Sequence, residues 1–498
     1  MSGRICFAVD IGGSGIKMLT VRSQGQNLEI LDQSCIPNPP IQQSGHVYID
    51  IPYILDAIEN KLCFLFDNHI IPQTMGIDTF GNGYGFLNQT LALEELPYFY
   101  KDTRTKGIMG QINSHCSVYE LYEKTGLYPT EIRVLMQLFL DASLPDSAIH
   151  RCKWVLLLPD LLNFLLTGQI SAEESMASVA SLLDVKGKCW NRDVFSLLNI
   201  PSEIFPPLIS GGRVLGNLRS EIAKKVHGNL QVIAVTSHDT ESALLSIPDL
   251  DEHCVFASIG TSLIFGTRVP TPIVTQQAFD GAFKIIKGPF HYSLCRDFNA
   301  MWLLEKCMQY WRETSSALDY SDIIALCETA DENHTYLNVC DPMLRTESGN
   351  IIDKITEYCI RTEQEIPRTI GEIANCILDS IVVQSLWSFH QIQQITCRTS
   401  YHKLVVIGGG SKNRLLMQRT ADALQIPVIV SSNSCSALGN VLMQLYATNT
   451  LSNLSDIQCA ARHLFCGIQY MPQEKNGAKW NYALSILDKI DKIRSSWR

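Results

Sequence analysis

Two glycine-rich turns, one in each half of the chain, constrain the fold more strongly than any other feature. In the first half, residues 5–9 have the pattern of a short buried strand, residues 10–17 are rich in glycine, and residues 18–21 resume a strand pattern. In the second half, the strand pattern of 255–258 is followed by Ile-Gly-Thr-Ser and by another strand pattern at 263–266. A strand, a glycine turn and a second strand indicate a hairpin, so dinucleotide-binding and P-loop folds are disfavoured. Two such hairpins predict two similar domains that face one nucleotide.

The first glycine turn carries the residue types that phosphate binding needs. Its glycines allow backbone N–H groups to approach phosphate oxygens, Ser14 adds a hydroxyl group, and Lys17 adds a positive charge. Asp10, at the end of the first strand, is placed to hold a hydrated magnesium ion. Taken alone, either turn could be an ordinary hairpin loop, but the pair favours a nucleotide site.

A third glycine segment lies near the C-terminus. The buried strand pattern of 404–407 leads into Gly408-Gly409-Gly410, and an amphipathic helix pattern at 414–424 and a strand pattern at 426–430 follow. Three consecutive glycines lose much conformational entropy when the chain folds, and an ordinary turn does not need them. A close approach between the backbone and a ligand therefore explains them better than a flexible loop does. The segment is suited to an adenosine group.

The tetrapeptide Ser237-His238-Asp239-Thr240 follows the apolar run 230–235 and precedes a helix pattern at 241–245. This order fixes a carboxylate at the first turn of a helix, where free backbone N–H groups also point. Such a site can activate a hydroxyl group. The alternative is that these residues only cap the helix, which Ser and Asp commonly do. The three glycine segments favour the functional interpretation.

In this order, the segments resemble the FGGY family of carbohydrate kinases. Further matches to the family occur along almost the whole length, at 48–51, 76–81, 100–105, 158–168, 175–184, 302–304, 421–423 and 437–440. The resemblance implies an α/β fold with two domains of the actin/hexokinase-like (ribonuclease H-like) sugar kinase type and an interdomain cleft. It also implies ATP and Mg²⁺ as cofactors and a small sugar as the acceptor.

The resemblance assigns roles to particular residues. Asp239 would be the catalytic base that accepts the proton of the sugar hydroxyl. The sugar would be bound by Gly81, His238, Asp239, Thr240 and Asp297. The nucleotide would be bound by Gly13, Ser14, Gly15, Ile16, Lys17, Thr261, Glu305 and Gly410, and the metal ion by Asp10.

Some positions depart from the family pattern on the sugar side. Phe80, Asn82 and Gly83 stand where the family has Trp, Val and Asp, while Asp297 and Glu305 stand where it has Asn and Gln. Asp297 could keep the charge of the pocket at a shifted place, or it could mark a different ketose. The resemblance implies a deoxyketose substrate, with L-rhamnulose as first choice. An L-fuculokinase or another ketose kinase of the same family is the alternative. A non-catalytic sugar or nucleotide sensor is the alternative of another class.

Length and composition agree with these expectations. A chain of 498 residues exceeds one ordinary core, so we expect a sugar-binding domain at 1–248, a nucleotide-binding domain at 249–449 and a helical extension at 450–498. The net charge of −10 argues against nucleic acid as a partner. The 17 scattered cysteines suit a reducing compartment, and the most apolar segment, 154–166, is interrupted by Pro and Asp. The sequence therefore predicts a soluble cytoplasmic protein without a membrane partner and leaves the oligomeric state open.

Overall fold

The computed structural model describes residues 3–185, 189–314, 318–345, 349–431, 434–465, 467–473 and 477–495. Its strands are β1 (Arg4–Ile11), β2 (Gly15–Gln24), β3 (Asn27–Pro37), β4 (Ile41–Gln43), β5 (His46–Tyr48), β6 (Thr74–Thr79), β7 (Tyr84–Leu87), β8 (Trp154–Leu157), β9 (Ala172–Glu173), β10 (Leu208–Ile209), β11 (Arg213–Asn217), β12 (Gln231–Ala234), β13 (Cys254–Ile259), β14 (Ser262–Val269), β15 (Lys284–Lys287), β16 (Tyr292–Asn299), β17 (Lys403–Ile407), β18 (Val428–Ser431) and β19 (Gly467–Tyr470).

The α-helices connect these strands and cover the two large sheets. They are α1 (Ile51–Asp67), α2 (Ile108–Ile112), α3 (Val118–Thr125), α4 (Val134–Ser143), α5 (Leu158–Thr167), α6 (Glu174–Val179), α7 (Arg192–Leu197), α8 (Ser220–Lys225), α9 (Asp239–Leu245), α10 (Gln276–Asp280), α11 (Met301–Thr314), α12 (Tyr320–Thr329), α13 (Pro342–Arg345), α14 (Ile351–Arg361), α15 (Ile370–Thr396), α16 (Arg414–Leu424), α17 (Cys435–Ala447), α18 (Leu454–Leu464) and α19 (Gly477–Ser495).

The first large sheet begins with the predicted glycine hairpin. Strands β1 and β2 pair antiparallel through the turn, β3 extends the meander, and β6 and β12 continue the sheet parallel to β1. The spatial order is β11-β12-β6-β1-β2-β3. Parallel strands share one carboxyl edge, so the ends of β1, β6 and β12 carry Asp10, Asp78 and the tetrapeptide 237–240 to the same place.

The second large sheet repeats this arrangement. Strands β13 and β14 form the second glycine hairpin, β16 and β15 extend it antiparallel, and β17 and β18 run parallel to β13. The spatial order is β15-β16-β14-β13-β17-β18-β19. Both predicted hairpins and the predicted unit of strand, glycine turn, helix and strand at 403–431 are therefore present.

Helix α17 belongs to the second half of the sequence but packs on the first sheet. Its residues Ala437, Leu438 and Val441 share a buried cluster with Cys6 and Ala8 of β1. It also crosses α9 closely enough that a β-carbon at Gly439 would overlap the carbonyl oxygen of Ser242. No single boundary in the sequence therefore separates the two packed bodies completely. The boundary between residues 248 and 249, which lies between α9 and β13, stays a prediction.

The segment predicted as a helical extension, 450–498, also contains a strand. Strand β19 pairs antiparallel with β18 at the edge of the second sheet, while α18 packs against α17 and against β3 of the first sheet, and α19 packs against α15 and α16. Pairing with β18 makes β19 a strand, and a prediction from local sequence alone did not find this long-range partner. Residues 496–498 of the extension lie outside the described residues. Within the described part of the chain, none of the helices combines the length and the apolar character needed to cross a lipid bilayer.

Candidate active site

A cleft of about 630 Å³ lies between the two sheets and brings together residues from both halves of the chain. Of the residues predicted from the sequence, four line it: Asp10, Lys17, Asp239 and Thr240. The second half contributes Ser258 from β13, the triple-glycine segment and side chains of β18 and β19. The cleft is thus lined by the carboxyl edges of both sheets.

Asp10 lies at the end of β1 and is almost completely buried, with 2% of its surface exposed. Its Oδ2 accepts hydrogen bonds from Lys17 Nζ at 3.1 Å and from Ser436 Oγ at 2.8 Å. Burial lowers the pKa of Lys17, but the charge and hydrogen bond of Asp10, together with the charges of Asp78 and Asp239, outweigh burial and raise the pKa above its usual value. Lys17 therefore stays charged beside Asp10. The turn before it is closed by the hydrogen bond from Gly12 N to Gly15 O at 2.8 Å.

Asp239 is the first residue of α9, and His238 is the residue before the helix. Asp239 Oδ1 accepts hydrogen bonds from Thr240 N at 2.6 Å and Thr240 Oγ1 at 3.2 Å, while 30% of the Asp239 side chain remains exposed to the cleft. Burial and the nearby Asp10 charge raise the pKa of Asp239 to about 7, although Thr240 and Lys17 oppose the shift. A carboxyl group with this pKa changes its charge near neutrality, as a general base requires.

Asp78 is a third carboxylate of this group, and the sequence analysis assigned it no role. It lies on β6 directly opposite Asp10 of β1 and is fully buried. Its Oδ2 accepts a hydrogen bond from Asn440 Nδ2 at 2.7 Å, and its Oδ1 has no partner among the described residues. Burial and the Asp10 and Asp239 charges raise the pKa of Asp78 well above its ordinary range. The sequence feature that could have identified Asp78 is its position at the carboxyl end of a strand that pairs in parallel with β1.

The charge balance of these residues is suited to a divalent cation. Asp10, Asp78 and Asp239 affect one another's charge, and Lys17 is the cation that acts on both Asp78 and Asp239. Among the described residues, no three metal-ligating side chains converge into a complete ligand set. A divalent metal ion at a phosphate-transfer site commonly takes one or two protein carboxylates and completes its shell with phosphate and water oxygens.

The triple glycine lies directly against the end of β13. Gly408 has φ of +91°, and a β-carbon there would lie 2.5 Å from the carbonyl oxygen of Ile259. A β-carbon at Gly410 would overlap the side chain of the same isoleucine. Only glycine allows this segment to pass so close to β13, and Gly408 and Gly409 thereby become part of the cleft wall. The segment is suited to a flat or anionic ligand group.

The remaining nucleotide-side predictions lie around this segment. Ser14 is exposed in the first hairpin turn, and Thr261 lies in the second, where its carbonyl oxygen accepts hydrogen bonds from Ala300 N and Trp302 N. Glu305 is exposed on α11 and acts electrostatically on Tyr320, whose hydroxyl accepts a hydrogen bond from Asn413 Nδ2 at 2.8 Å. The predicted residues Gly13, Ser14, Gly15, Ile16, Thr261, Glu305 and Gly410 do not line the 630 Å³ cleft themselves. Their roles stay predictions.

Gly81 and His238 lie next to each other on the sugar side. A β-carbon at Gly81 would lie 3.3 Å from Val179 Cγ1 and 3.9 Å from His238 Cδ2. His238 is 5% exposed, and its Nδ1 has no hydrogen-bond partner among the described residues. Burial lowers the pKa of His238 to about 4, with help from the positive charges of Lys284 and Arg133. The imidazole is therefore neutral at pH 7 and can both donate and accept hydrogen bonds.

Asp297 forms an ion pair that the sequence did not predict. Its Oδ2 lies 2.5 Å from Lys284 Nζ, the lysine is 6% exposed, and 42% of the Asp297 side chain is exposed. Burial alone would raise the pKa of Asp297, but the Lys284 and Arg133 charges lower it below its usual value. Because a neighbouring lysine neutralises Asp297, the hypothesis that this residue transfers a lost pocket charge to a new place loses its support.

Comparisons with known proteins agree with this geometry. The N-terminal domain of the FGGY family of carbohydrate kinases matches residues 5–246, and its C-terminal domain matches residues 255–448. The chain is 29% identical over 490 residues to the rhamnulokinase of Bacteroides thetaiotaomicron, covering 96% of this chain and 97% of that one. It is also 29% identical over 455 residues to the rhamnulokinase of Enterococcus faecalis, covering 91% of each chain.

Solved structures share the fold at low sequence identity. The gluconate kinase of Lactobacillus acidophilus superposes with a TM-score of 0.82 at 16% identity, over 99% of this chain and 98% of that one. The glycerol kinase of Plasmodium falciparum superposes with a TM-score of 0.81 at 15% identity, over 99% of this chain and 98% of that one.

The fold and the cleft thus define a two-domain sugar kinase, which is a phosphotransferase. The chain belongs to the FGGY family of carbohydrate kinases. The predicted family, fold class and enzyme class are confirmed, and kinases of this family use ATP and typically a divalent metal.

Proposed function

We propose that this chain transfers a phosphate group from ATP to the 1-hydroxyl of a deoxyketose, and that the substrate is L-rhamnulose. The observation that carries the proposal is the position of Asp239, which lies in the same cleft as the glycine segments of both sheets with its pKa raised to about 7. The rhamnulokinase relatives, which extend over nearly the whole chain, support the choice of sugar.

In the proposed reaction, Asp239 accepts the proton of the sugar hydroxyl while that oxygen attacks the γ-phosphorus and ADP leaves. The transition state of phosphoryl transfer is loose, so positioning matters more than a strongly basic carboxylate. Lys17 and the backbone N–H groups of the hairpin turns would bind the phosphates. Asp10 would hold the magnesium ion, which neutralises charge on the phosphates when bound. The predicted cytoplasmic location is part of this proposal.

The experiment is a coupled assay of ADP release with MgATP and a panel of ketoses that includes L-rhamnulose, L-fuculose, L-xylulose and D-fructose. We expect the highest kcat/KM for L-rhamnulose, and phosphorus NMR should show a 1-phosphate ester as the product. A higher kcat/KM for L-fuculose would favour the L-fuculokinase alternative. Failure to phosphorylate any ketose would contradict the proposal, and retained ATP binding in that case would point to the sensor.

A further inference from the structure

Arg133 has a buried positive charge that the fold does not compensate. The residue directly precedes α4 and is 5% exposed. Its Nη1 donates to Val179 O at 3.3 Å, and its Nε has no partner among the described residues. A guanidinium group has five N–H donors, and an unpaired buried charge is strongly unfavourable. Within the described residues Arg133 forms no ion pair, so a compensating group is expected from elsewhere.

The surroundings of Arg133 are the predicted sugar-binding residues. Val179, whose carbonyl accepts its hydrogen bond, packs against Gly81. The Arg133 charge helps to lower the pKa of both His238 and Asp297, so both side chains lie within its electrostatic reach. Arg133 therefore lies beside the side chains that would surround the sugar.

Asp297 is the acidic residue best placed to compensate Arg133, but it is already engaged. Its carboxylate forms the 2.5 Å ion pair with Lys284. Burial lowers the pKa of Arg133, and the attraction of Asp297 offsets this only in part. The Lys284–Asp297 pair is close to neutral as a unit, so one positive charge remains on this side of the cleft.

We propose that Arg133 is a specificity-determining residue that donates hydrogen bonds to an oxygen atom of the acceptor sugar. This inference rests on the proposed function, because the acceptor is the ketose that the kinase phosphorylates. A hydroxyl oxygen of a neutral ketose and a carboxylate oxygen of a ketose acid can both accept hydrogen bonds from a guanidinium group, but only the carboxylate also neutralises its charge. Lysine cannot reproduce the planar arrangement of these donors, so even the conservative substitution should weaken sugar binding.

The test compares Arg133→Gln and Arg133→Lys with Arg219→Lys as a matched control. Arg219 likewise has an unpartnered buried Nε and a single described side-chain hydrogen bond, from Nη2 to Phe164 O at 3.1 Å, but it packs on α5 away from the cleft. With L-rhamnulose, both Arg133 variants should raise the sugar KM by about tenfold or more, the scale of one hydrogen bond to a charged group. The KM for ATP should stay within about twofold, and the control should change neither constant.

The outcomes separate this inference from the proposed function. Wild-type activity on L-rhamnulose with an unchanged sugar KM in Arg133→Gln overturns the role of Arg133 alone. Activity on a different ketose or on a ketose acid, with the raised KM in the variants, supports Arg133 and overturns L-rhamnulose. If Arg133→Gln does not fold, the Arg133→Lys variant decides by the same criterion. If no sugar of the panel is phosphorylated and none raises the Tm of the wild type, both the role of Arg133 and the proposed function are overturned.

Discussion

At the scale of single residues, the proposed role of Asp239 as the base predicts the pH range in which the enzyme works. The base must be ionised to accept a proton, and burial together with Asp10 raises its pKa to about 7. Because kcat/KM reports ionisations of the free enzyme, we expect kcat/KM for the sugar to fall about tenfold per pH unit below this value. A pH profile measured with MgATP well below its KM, so that the free enzyme is the reporting form, checks this. A profile that is flat from pH 5 to 8 would contradict the assignment of Asp239 as the base.

Replacing Asp239 tests its role directly. Asp239→Asn keeps the shape and can still accept the hydrogen bonds from Thr240, but it cannot accept the proton. We expect turnover to fall by about 10²-fold or more, the scale for losing a general base, while ATP binding measured by calorimetry stays nearly intact. Turnover equal to that of the wild type would show that another group takes the proton.

Asp78 gives a prediction about stability rather than catalysis. In the unfolded chain its carboxyl group ionises near the ordinary pKa of 3.8, whereas burial raises the pKa in the folded chain. Above about pH 4 the folded state therefore binds more protons than the unfolded state, and stability falls as pH rises. Asp78→Asn removes this penalty, so it should raise the Tm more at pH 8 than at pH 5. An equal change at both pH values would contradict the shift.

The residues of this group differ in how well the sequence reveals them. Asp10 and Asp239 stand next to a glycine turn or a helix start, and local pattern was sufficient to select them. Asp78 and Arg133 acquire their significance from partners far away in the chain, Asn440 for Asp78 and Val179 for Arg133. Lys284 acquires its significance from Asp297 on the paired strand β16. Single-sequence reasoning does not determine such pairs because burial and charge at these positions depend on the tertiary fold.

At the scale of elements, the close crossing of α9 and α17 holds Asp239 in place. A β-carbon at Gly439 would overlap the backbone of α9 at Ser242, whose Oγ also donates to Ser436 O at 2.8 Å. Alanine is the better helix former, yet Gly439→Ala should destabilise the protein by about 1–3 kcal/mol because the helices must separate. It should also lower kcat, since α9 carries the base. Thermal unfolding and steady-state assays would measure both effects.

Gly110→Ala is the matched control for this crossing. Gly110 lies inside α2, and a β-carbon there would meet nothing within 4 Å. We expect this variant to keep both the Tm and kcat of the wild type or to gain slightly in Tm, as helix propensity predicts. A similar loss in both variants would show that the α9–α17 contact has no special role.

Elements with local partners were predictable, and elements with distant partners were not. Each glycine hairpin joins two strands that are adjacent in sequence, so turn and strand patterns were sufficient. Helix α15 is likewise local, because its buried apolar residues lie within one continuous segment, Ile370–Thr396. The packing of α17 on the first sheet and the pairing of β19 with β18 join distant segments, and no pattern within either segment specifies the partner.

At the scale of the whole molecule, the order β3-β2-β1-β6-β12-β11 of the first sheet recurs as β16-β14-β13-β17-β18-β19 in the second, which adds β15 at one edge. The two sheets meet across one cleft, and several contacts join the two bodies. Lys287 of β15 forms an ion pair with Glu174 of α6, and the Phe290 ring lies edge-on to Tyr446 of α17 at 5.5 Å between centroids. The two halves also share a buried apolar cluster, which includes Met176 and Leu244 of the first half and Phe256 and Val405 of the second. Rotation of one body against the other is therefore expected to pivot about this shared contact.

Closure over both substrates should therefore be measurable. A closed cleft would exclude water and bring the sugar hydroxyl into line with the γ-phosphate, and binding of both ligands stabilises that state. Asp239→Asn allows the ternary complex to be observed without turnover. By small-angle X-ray scattering, this variant with L-rhamnulose and MgATP should have a smaller radius of gyration than it has with either ligand alone. Equal radii in the three states, with binding of both ligands shown by calorimetry, would contradict closure of the cleft on formation of the ternary complex.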